Sequence, residues 1–435
     1  MWVELWRWWW WLWWAAPVAA AEPLPSGDQL VFIEDRREPL ISVRLSLPAG
    51  RASPWWRRTG AAAAWHMSLQ DPALRSRAAA ALDVKFSHDD WQTTLQARCL
   101  RGDFPELISV LSAMLRDQAV DRELLWEWRG SRRPPWRVDD LTPQRAMQAI
   151  AARLLLPRRD PRRYPDTAVS LQPRPVRRAR EQLARLPGRV VGFAGDLSAS
   201  EARAGAIQLL PAPLRAAPLD VRPRLAQPRQ GPPGARARAR MPMPGRGWVM
   251  LTRGGLAYTD PEYPLLTLAM EALVFGGRSR MYTALRHEDG LVYSVVGETG
   301  AGPQAGLLLA AAASRPLHVE AVASRVEDLL ADFSAAGLTD AERVASAAAL
   351  RLEQALIDSD PDARLAQQMA AVLFGLPEDF HMKQVQAASA VSLTELNEFI
   401  ARFFAPEAVS LIRVRPGPDW SLESAREPAR ESVGE

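Results

Sequence analysis

The feature of this 435-residue sequence that most constrains its fold is a pattern that occurs twice. In each half, short segments with strand-like alternation come first and segments with helical periodicity follow them. In the first half, Leu30–Ile33 is apolar, and Ile41–Leu47 and Trp91–Cys99 alternate apolar with polar residues. Alternation of this kind is typical of strands with one buried face, and we expect the first two segments to pair. The half closes with a strand at Val190–Ala194 and a helix from about Ser200.

The helices of both halves are marked by caps. Asp103 with Glu106, Thr339 with Glu342, and Ser392 with Glu395 each have the spacing of a capping box ahead of an apolar-periodic segment. The predicted strands and helices of the second half repeat the plan of the first: Trp248–Leu251, Leu265–Phe275, Met281–Arg286, Tyr293–Gly297, Leu307–Ala313 and Val409–Val414. Strands followed by helices predict an α+β fold of two homologous domains, each a mainly antiparallel sheet with helices packed on one face.

The predicted boundaries follow from changes in composition. Residues 22–210 form an N-terminal domain, and residues 246–415 form a C-terminal domain. Between them, residues 211–245 are rich in Pro, Gly and Arg and are interpreted as a linker. Its arginines could contact an acidic partner, but a solvated, extended linker is the favoured interpretation. Residues 416–435 are predicted to be a loose tail.

Residues 1–21 have the pattern of a signal peptide. Arg7 precedes an apolar run from Trp8 to Val18, and Ala19-Ala20-Ala21 offers a cleavage site before Glu22. The run is about half the ~20 residues that a membrane-spanning helix needs. Eight of the 17 tryptophans crowd into this segment, which leaves a misassigned start or an uncleaved interfacial anchor as alternatives. The sequence thus predicts export to the periplasm with a cleaved signal peptide.

Composition argues against several classes of protein. A formal net charge of +4 over 435 residues is too dilute to indicate a nucleic-acid partner. The single cysteine, Cys99, excludes an intrachain disulfide framework and a cysteine-based zinc site. After the N-terminal segment no apolar run reaches spanning length, so stable membrane insertion is not expected.

Familiar catalytic motifs are incomplete in this sequence. His287-Glu288 begins like HExxH, but Leu291 occupies the position of the second histidine. Gly300, Gly302 and Gly306 miss the spacing of a dinucleotide-binding loop and fit a hairpin turn better. The five histidines are scattered and show no metal-ligand spacing.

One segment carries a specific resemblance. Leu285-Arg286 is followed by Gly290-Leu291-Val292-Tyr293-Ser294 and preceded by Gly276–Arg280. This resembles the Arg/Tyr signature of the pitrilysin/insulinase-like metallopeptidases, the inverzincins. Thr259–Tyr263 and Gly375–Pro377 are similar to that family's second domain. The resemblance covers most of residues 28–415 and implies the family's two-domain fold.

The family's zinc motif is HxxEH, and in this chain it is degenerate. The resemblance places Ala62 at the first histidine, Trp65 at the glutamate and His66 at the second histidine. The chain has no glutamate between Glu38 and Glu106, so no change of alignment restores the motif. The family's third ligand, a downstream glutamate, is also missing. Since a catalytic zinc needs three protein ligands, no metal is expected in this chain, and His66 is interpreted as a packing or hydrogen-bonding residue rather than a ligand.

The Arg286 and Tyr293 pair is intact. In the family, this pair reaches the zinc site of the other domain, where it donates hydrogen bonds to the substrate carbonyl and the developing oxyanion. Arginine offers a permanent positive charge and tyrosine a directional donor, which suits an oxyanion site. Alternatively, Arg286 caps its helix and Tyr293 is a half-buried strand aromatic.

The resemblance therefore implies a division of labour between two chains. This chain is interpreted as the non-zinc-binding subunit of a heterodimeric periplasmic metallopeptidase, acting on unfolded peptides. Its expected partner is a homologous subunit with an intact HxxEH motif and bound zinc. The alternative is a catalytically silent structural or peptide-holding subunit of a larger complex. An autonomous enzyme that uses His66 is the least favoured interpretation.

Overall fold

The structure is a computed structural model that describes residues 21–50, 83–116, 143–157, 160–163, 181, 186–210, 234–241, 245–304, 306–417 and 421–424. Ala62, Trp65 and His66 of the degenerate zinc motif lie outside these residues. So do residues 1–20 of the predicted signal peptide and most of the predicted linker.

The first half forms a six-stranded sheet in the order β1-β2-β6-β3-β5-β4. Strands β2 and β6 are parallel, and the other neighbours are antiparallel. The predicted pairing of the first two long strands is wrong, because β6 lies between β2 and β3. The strands are β1 Glu22–Pro23, β2 Gln29–Glu34, β3 Leu40–Leu47, β4 Asp83–His88, β5 Thr93–Leu100 and β6 Val190–Gly195.

The second half builds a sheet with the same plan, in the order β12-β7-β11-β8-β10-β9. Its single parallel pair, β7 with β11, corresponds to β2 with β6. The predicted internal repeat and the α+β fold class are therefore confirmed. The strands are β7 Arg236–Met241, β8 Gly247–Gly254, β9 Val292–Glu298, β10 Leu307–Ser314, β11 Ser410–Pro416 and β12 Ser421–Ser424.

Ten helices accompany the sheets in the described part of the chain. In chain order they are α1 Phe104–Arg116, α2 Pro143–Leu155, α3 Ala199–Leu209, α4 Tyr263–Leu273, α5 Arg280–Tyr282, α6 Val319–Ala336, α7 Asp340–Ser359, α8 Pro361–Phe374, α9 Phe380–Ala390 and α10 Leu393–Phe403. None of them combines the length and the apolar composition needed to cross a membrane.

Most predicted helix starts agree with the structure. Thr339 and Glu342 form a complete capping box, and the Ser392 hydroxyl accepts a hydrogen bond from the Glu395 amide. The predicted cap at Asp103 is different. Asp103 belongs to a 3-10 turn, Arg101–Asp103, which continues directly into α1.

The predicted linker and tail are wrong in part, because each contains a strand of the second sheet. In β7 the small side chains Ala237 and Ala239 are buried and the arginines between them face outward. Alanine is not a typical strand former, so this alternation does not stand out from the Arg/Pro-rich sequence around it. Strand β12, from the predicted tail, pairs antiparallel with β7.

Each sheet is covered on both faces, and one helix on each is supplied by the other half. Helix α8 packs its Leu365 and Met369 on Val31 and Val190 of the first sheet. Helix α2 packs its Met147 and Ile150 on a face of the second sheet that includes Trp248, Met250 and Ile412. The opposite faces are covered by helices of the same half, α1 and α3 in the first and α4, α6 and α10 in the second. The two halves thus share their cores.

Candidate functional site

The Arg/Tyr segment is positioned by a short helix, a widened turn and an edge strand. Helix α5 begins at Ser279, whose hydroxyl accepts a hydrogen bond from the Tyr282 amide. The helix continues directly into a π-helical turn at Thr283–Glu288, which contains Arg286. Single π-turns inside helices occur often at functional sites.

The chain leaves the turn through Gly290, whose φ of +63° lies in the left-handed region. Buried Met281 and Leu285 anchor the helical side, and buried Val292 anchors the start of β9. Strand β9 lies at the edge of the second sheet. Because successive strand residues point to opposite faces, burial of Val292 directs Tyr293 outward.

The structure brings Arg286 and Tyr293 together. The Arg286 guanidinium carbon lies 5.5 Å from the centroid of the Tyr293 ring. An Arg286 N–H also donates a hydrogen bond to the backbone carbonyl oxygen of Tyr293. Tyr293 is 71% exposed, so its side chain is accessible at the surface of the protein. The alternative of a half-buried strand aromatic therefore does not describe Tyr293.

Two further residues complete what we name the Arg/Tyr cluster, which consists of Arg246, Tyr282, Arg286 and Tyr293. The Arg246 guanidinium carbon is 5.7 Å from the centroid of the Tyr293 ring. The Tyr282 ring is 5.6 Å from the Arg286 guanidinium carbon. Tyr282 could have been found from sequence, because it lies one helical turn before Arg286. Arg246 could not, since only the sheet brings the turn before β8 next to β9.

The carboxylates of the π-turn do not neutralise the cluster. Glu288 and Asp289 both face Arg325, at 3.5 Å and 3.0 Å between nitrogen and oxygen. Within the described ranges, Arg286 has no carboxylate partner. The cluster is thus a group of two guanidinium cations and two phenols, of which Arg246 and Tyr293 are exposed and Tyr282 and Arg286 are partly buried. Such a group can donate hydrogen bonds to, and stabilise, negative charge on an external oxygen.

A cavity of about 830 Å³ lies between the halves, and the Arg/Tyr cluster does not line it. Trp91 of the first half and Tyr258, Glu271 and Glu353 of the second half are among its lining residues. Burial, together with the nearby charge of Glu353, raises the pKa of Glu271 above its ordinary value. Sequence reasoning missed this cavity, because its walls come from segments far apart in the chain.

The donor atoms that a zinc ion would need are scarce in the degenerate motif, and the described residues do not form a zinc site. Neither alanine nor tryptophan offers a zinc-ligating atom, so Ala62 and Trp65 leave His66 as the only donor in the degenerate motif. Among the described ranges, no group of three His, Cys, Asp or Glu side chains is arranged to hold a metal ion. We therefore derive no catalytic step from a zinc ion in this chain.

Comparison with known proteins shows which proteins share this fold. Residues 190–350, which include Arg286 and Tyr293, match the protein family described as Peptidase M16 inactive domain. The predicted resemblance to the pitrilysin/insulinase-like peptidases is confirmed: these residues, which are less than half of the chain, match an M16 family model, and solved structures of M16-type proteins share the fold of the chain. A search of curated proteins gives no match.

Solved structures share the fold at low sequence identity. A peptidase M16 inactive domain from Pseudomonas fluorescens is 16% identical and has a TM-score of 0.75, with 94% of this chain and 100% of that chain covered. The first half of the periplasmic protease PqqL from Escherichia coli is 13% identical, with a TM-score of 0.66 and 92% of each chain covered. Pitrilysin is 14% identical with a TM-score of 0.67, and the match covers 94% of this chain and 47% of pitrilysin.

Proposed function

We propose that this chain is the non-zinc-binding subunit of a heterodimeric metallopeptidase and that it donates Arg286 and Tyr293 to the zinc site of its partner. The partner is a homologous subunit with an intact HxxEH motif, and the substrate is an unfolded peptide. The match to an inactive M16 domain and the donor-poor degenerate motif support the absence of zinc from this chain.

The observation that carries the proposal is an intact Arg/Tyr pair in which Tyr293 is exposed and Arg286 is partly exposed. Tyr293 is 71% exposed, and its hydroxyl has no partner among the described residues. Arg286 beside it has no described carboxylate partner, and neither residue lines the cavity between the halves. A pair that serves no buried contact in its own chain is available to a second polypeptide.

The pair's chemistry suits peptide hydrolysis in trans. The partner's zinc supplies Lewis-acid polarisation of the scissile carbonyl and a bound water of lowered pKa. In this chain, Arg286 exchanges its bond to the Tyr293 carbonyl for one to the substrate oxygen, and the Tyr293 hydroxyl donates a second. Both bonds strengthen as negative charge develops on that oxygen, which lowers the barrier rather than only improving binding.

The test uses the heterodimer purified after co-expression with a homologous HxxEH subunit encoded by the same host. Arg286→Ala and Tyr293→Phe should each leave assembly intact and lower kcat by on the order of 10²–10³-fold, the typical loss of one oxyanion donor. Arg278→Ala removes an exposed arginine from the turn before α5 and should leave kcat unchanged. Metal analysis should find zinc only in the partner. A kcat near that of the parent heterodimer in both pair variants would contradict the proposal.

We also propose that the chain is periplasmic, on the basis of its predicted signal peptide. The similarity of its fold to the first half of a periplasmic protease is compatible with that location. Mature protein from the periplasmic fraction of the native host should begin near Glu22, as N-terminal sequencing will show. Recovery of Met1 or Trp2 from a cytosolic fraction would refute this location.

One observation favours the alternative of a catalytically silent structural or peptide-holding subunit. The Arg286 guanidinium already donates a hydrogen bond to the backbone of its own chain, at Tyr293. If that bond is the purpose of Arg286, its loss should lower stability and assembly. The activity of each assembled heterodimer would then be unchanged, which is the reverse of the pattern expected for a catalytic pair.

A further inference from the structure

An arginine-lined groove lies on the second sheet, far along the sheet order from the Arg/Tyr cluster on β9. Strands β7, β11 and β12 and the start of helix α6 form this groove, which has a volume of about 200 Å³. We name it the arginine groove and define it by its lining residues: Arg238, Ala239, Arg240, Glu320, Arg413, Arg415, Ser421 and Glu423. Two of the arginines belong to the segment that sequence analysis interpreted as a linker.

The strand register concentrates positive charge in the groove. In the parallel pair of β7 and β11, Arg238 lies opposite Arg413 and Arg240 lies opposite Arg415. Like charges directly opposite one another on neighbouring strands are destabilising. An arrangement of this kind needs compensating negative charge.

The protein itself supplies only part of that negative charge. Glu320 of α6 contacts Arg413 at 3.0 Å and Arg415 at 3.1 Å. Glu327 of α6, which also pairs with Arg236, contacts Arg413 at 3.4 Å. Glu423 lies opposite Arg238 in the pairing of β12 with β7. Arg240 faces the neutral Ser421 on that side. Four arginines and two glutamates line the groove, which leaves it with a formal charge of +2.

The internal repeat shows that the fold does not require arginines here. In the first sheet, the equivalent strands β2 and β6 place Phe32 opposite Phe193 and Leu30 opposite Val191. These residues belong to or pack against the apolar core, which helix α3 covers with Ala202 and Ala206. In the second sheet, the described residues after β11 form strand β12 instead of a helix, and this face carries exposed Arg238 and Arg240.

We propose that the arginine groove is a binding site for a phosphate-bearing ligand, held chiefly by Arg238, Arg240 and Arg415. Arginine binds phosphate oxygens through paired N–H donors, and a dianionic group matches the charge of the groove. A volume of about 200 Å³ holds several water molecules at about 30 Å³ each, which is room for a phosphate or diphosphate group. The source of the phosphate is either a free phosphorylated molecule or the headgroup of an anionic lipid.

The proposal is tested with the full chain, by titration calorimetry with pyrophosphate in 50 mM NaCl. Arg238→Gln combined with Arg240→Gln should weaken binding at least ten-fold. The matched control, Arg36→Gln combined with Arg351→Gln, removes two exposed arginines outside the groove and should change the dissociation constant less than two-fold. Thermal unfolding without ligand verifies that both double variants fold.

Vesicle co-sedimentation distinguishes the two sources of phosphate. Binding to phosphatidylglycerol vesicles but not to phosphatidylcholine vesicles, lost only in the groove variant, supports the site with a lipid headgroup as its ligand. Pyrophosphate binding without vesicle binding supports the site with a free ligand. Absence of both kinds of binding in the parent chain overturns the proposal, and so does equal binding by the groove and control variants.

Discussion

At the scale of single residues, the carboxylate of Asp362 links the two halves through hydrogen bonds. Asp362, at the start of α8, accepts hydrogen bonds from Ser42, Arg44, Gln96 and Arg98 of the first sheet, at 2.6 to 2.9 Å. Only 8% of Asp362 is exposed. Burial alone would raise the pKa of this carboxyl, but the bonds from Arg44, Ser42 and Arg98 outweigh burial and lower it well below its ordinary value.

Replacing Asp362 by Asn should destabilise the protein and change its response to acid. Loss of the charge removes the ion pairs of Asp362 with Arg44 and Arg98, at a cost of about 3 kcal/mol in the free energy of unfolding. A carboxyl with a lowered folded pKa stabilises the native state above its unfolded pKa of about 3.9, and this contribution disappears as the pH falls through the folded value. The difference between parent and variant should therefore be full at pH 7 and shrink below about pH 4.

Urea unfolding at pH 7 and pH 3 measures both effects. Asp340→Asn is the control, because the Asp340 side chain is 65% exposed and pairs with Arg343 at the protein surface. It should cost at most about 1 kcal/mol. A difference between Asp362→Asn and the parent that is equally large at both pH values would show that the charge of Asp362 is not what stabilises the contact.

At the scale of elements, the spacing between Arg286 and Tyr293 depends on how α5 ends. The π-turn closes with a hydrogen bond from the Asp289 amide to the Ala284 carbonyl at 3.0 Å, and the Leu291 amide donates to the Leu285 carbonyl at 2.9 Å. Gly290 lies between these bonds with a φ of +63°. No other heavy atom would lie within 4 Å of a Cβ added to Gly290, so backbone conformation alone determines the effect of a substitution there.

Gly290→Ala should lower the free energy of unfolding by about 1–2 kcal/mol, the cost of a left-handed conformation for a residue with a Cβ. Asparagine adopts this conformation more readily, so Gly290→Asn should cost less. Chemical denaturation of the two variants beside the parent gives the comparison. Equal losses for alanine and asparagine would show that the turn is not limited by its backbone conformation.

At the scale of the whole molecule, helices α2 and α8 each pack on the sheet of the other half, which makes the two halves interdependent. Leu365 of α8 is fully buried against the first sheet, in the same cluster as Val31, Ile33 and Ala194. Gly192 of β6 allows this close approach, because a Cβ there would lie 2.8 Å from a Leu365 methyl carbon. The first sheet therefore depends on a helix that the chain completes more than 150 residues later.

Leu365→Ala should destabilise the protein by about 2–5 kcal/mol through lost burial and a cavity between the halves. Leu352→Ala on α7 is the matched control, since Leu352 is 62% exposed and its truncation should cost about 0.5 kcal/mol or less. Equilibrium unfolding, monitored by tryptophan fluorescence and circular dichroism, measures both. A Leu365→Ala variant as stable as the control would show that α8 contributes little to the first sheet.

Local patterns in the sequence determined the elements and their repetition. Alternation marked the strands around Ile41 and Leu95, and capping residues such as Thr339 marked helix starts, because neighbours along the chain set backbone conformation. Arg286 and Tyr293, seven residues apart, were paired through the resemblance of the segment around them to the family's Arg/Tyr signature rather than through periodicity. The degenerate state of the zinc motif can also be recognised from sequence, because Ala62 and Trp65 have no ligating atoms.

Tertiary structure alone decided the relations between distant segments. Placement of β6 between β2 and β3, exchange of α2 and α8, and the meeting of Asp362 with Arg44 depend on non-local contacts that leave no periodic signal. Strand β7 shows this best, because alternating arginine and alanine has little strand preference of its own. Its pairing with β11 and the burial of Ala237 and Ala239 make it a strand, and that pairing aligns its arginines with those of β11. Burial and register are properties of the assembled sheet. Because of them, a segment with the composition of a linker forms strand β7 and lines the arginine groove.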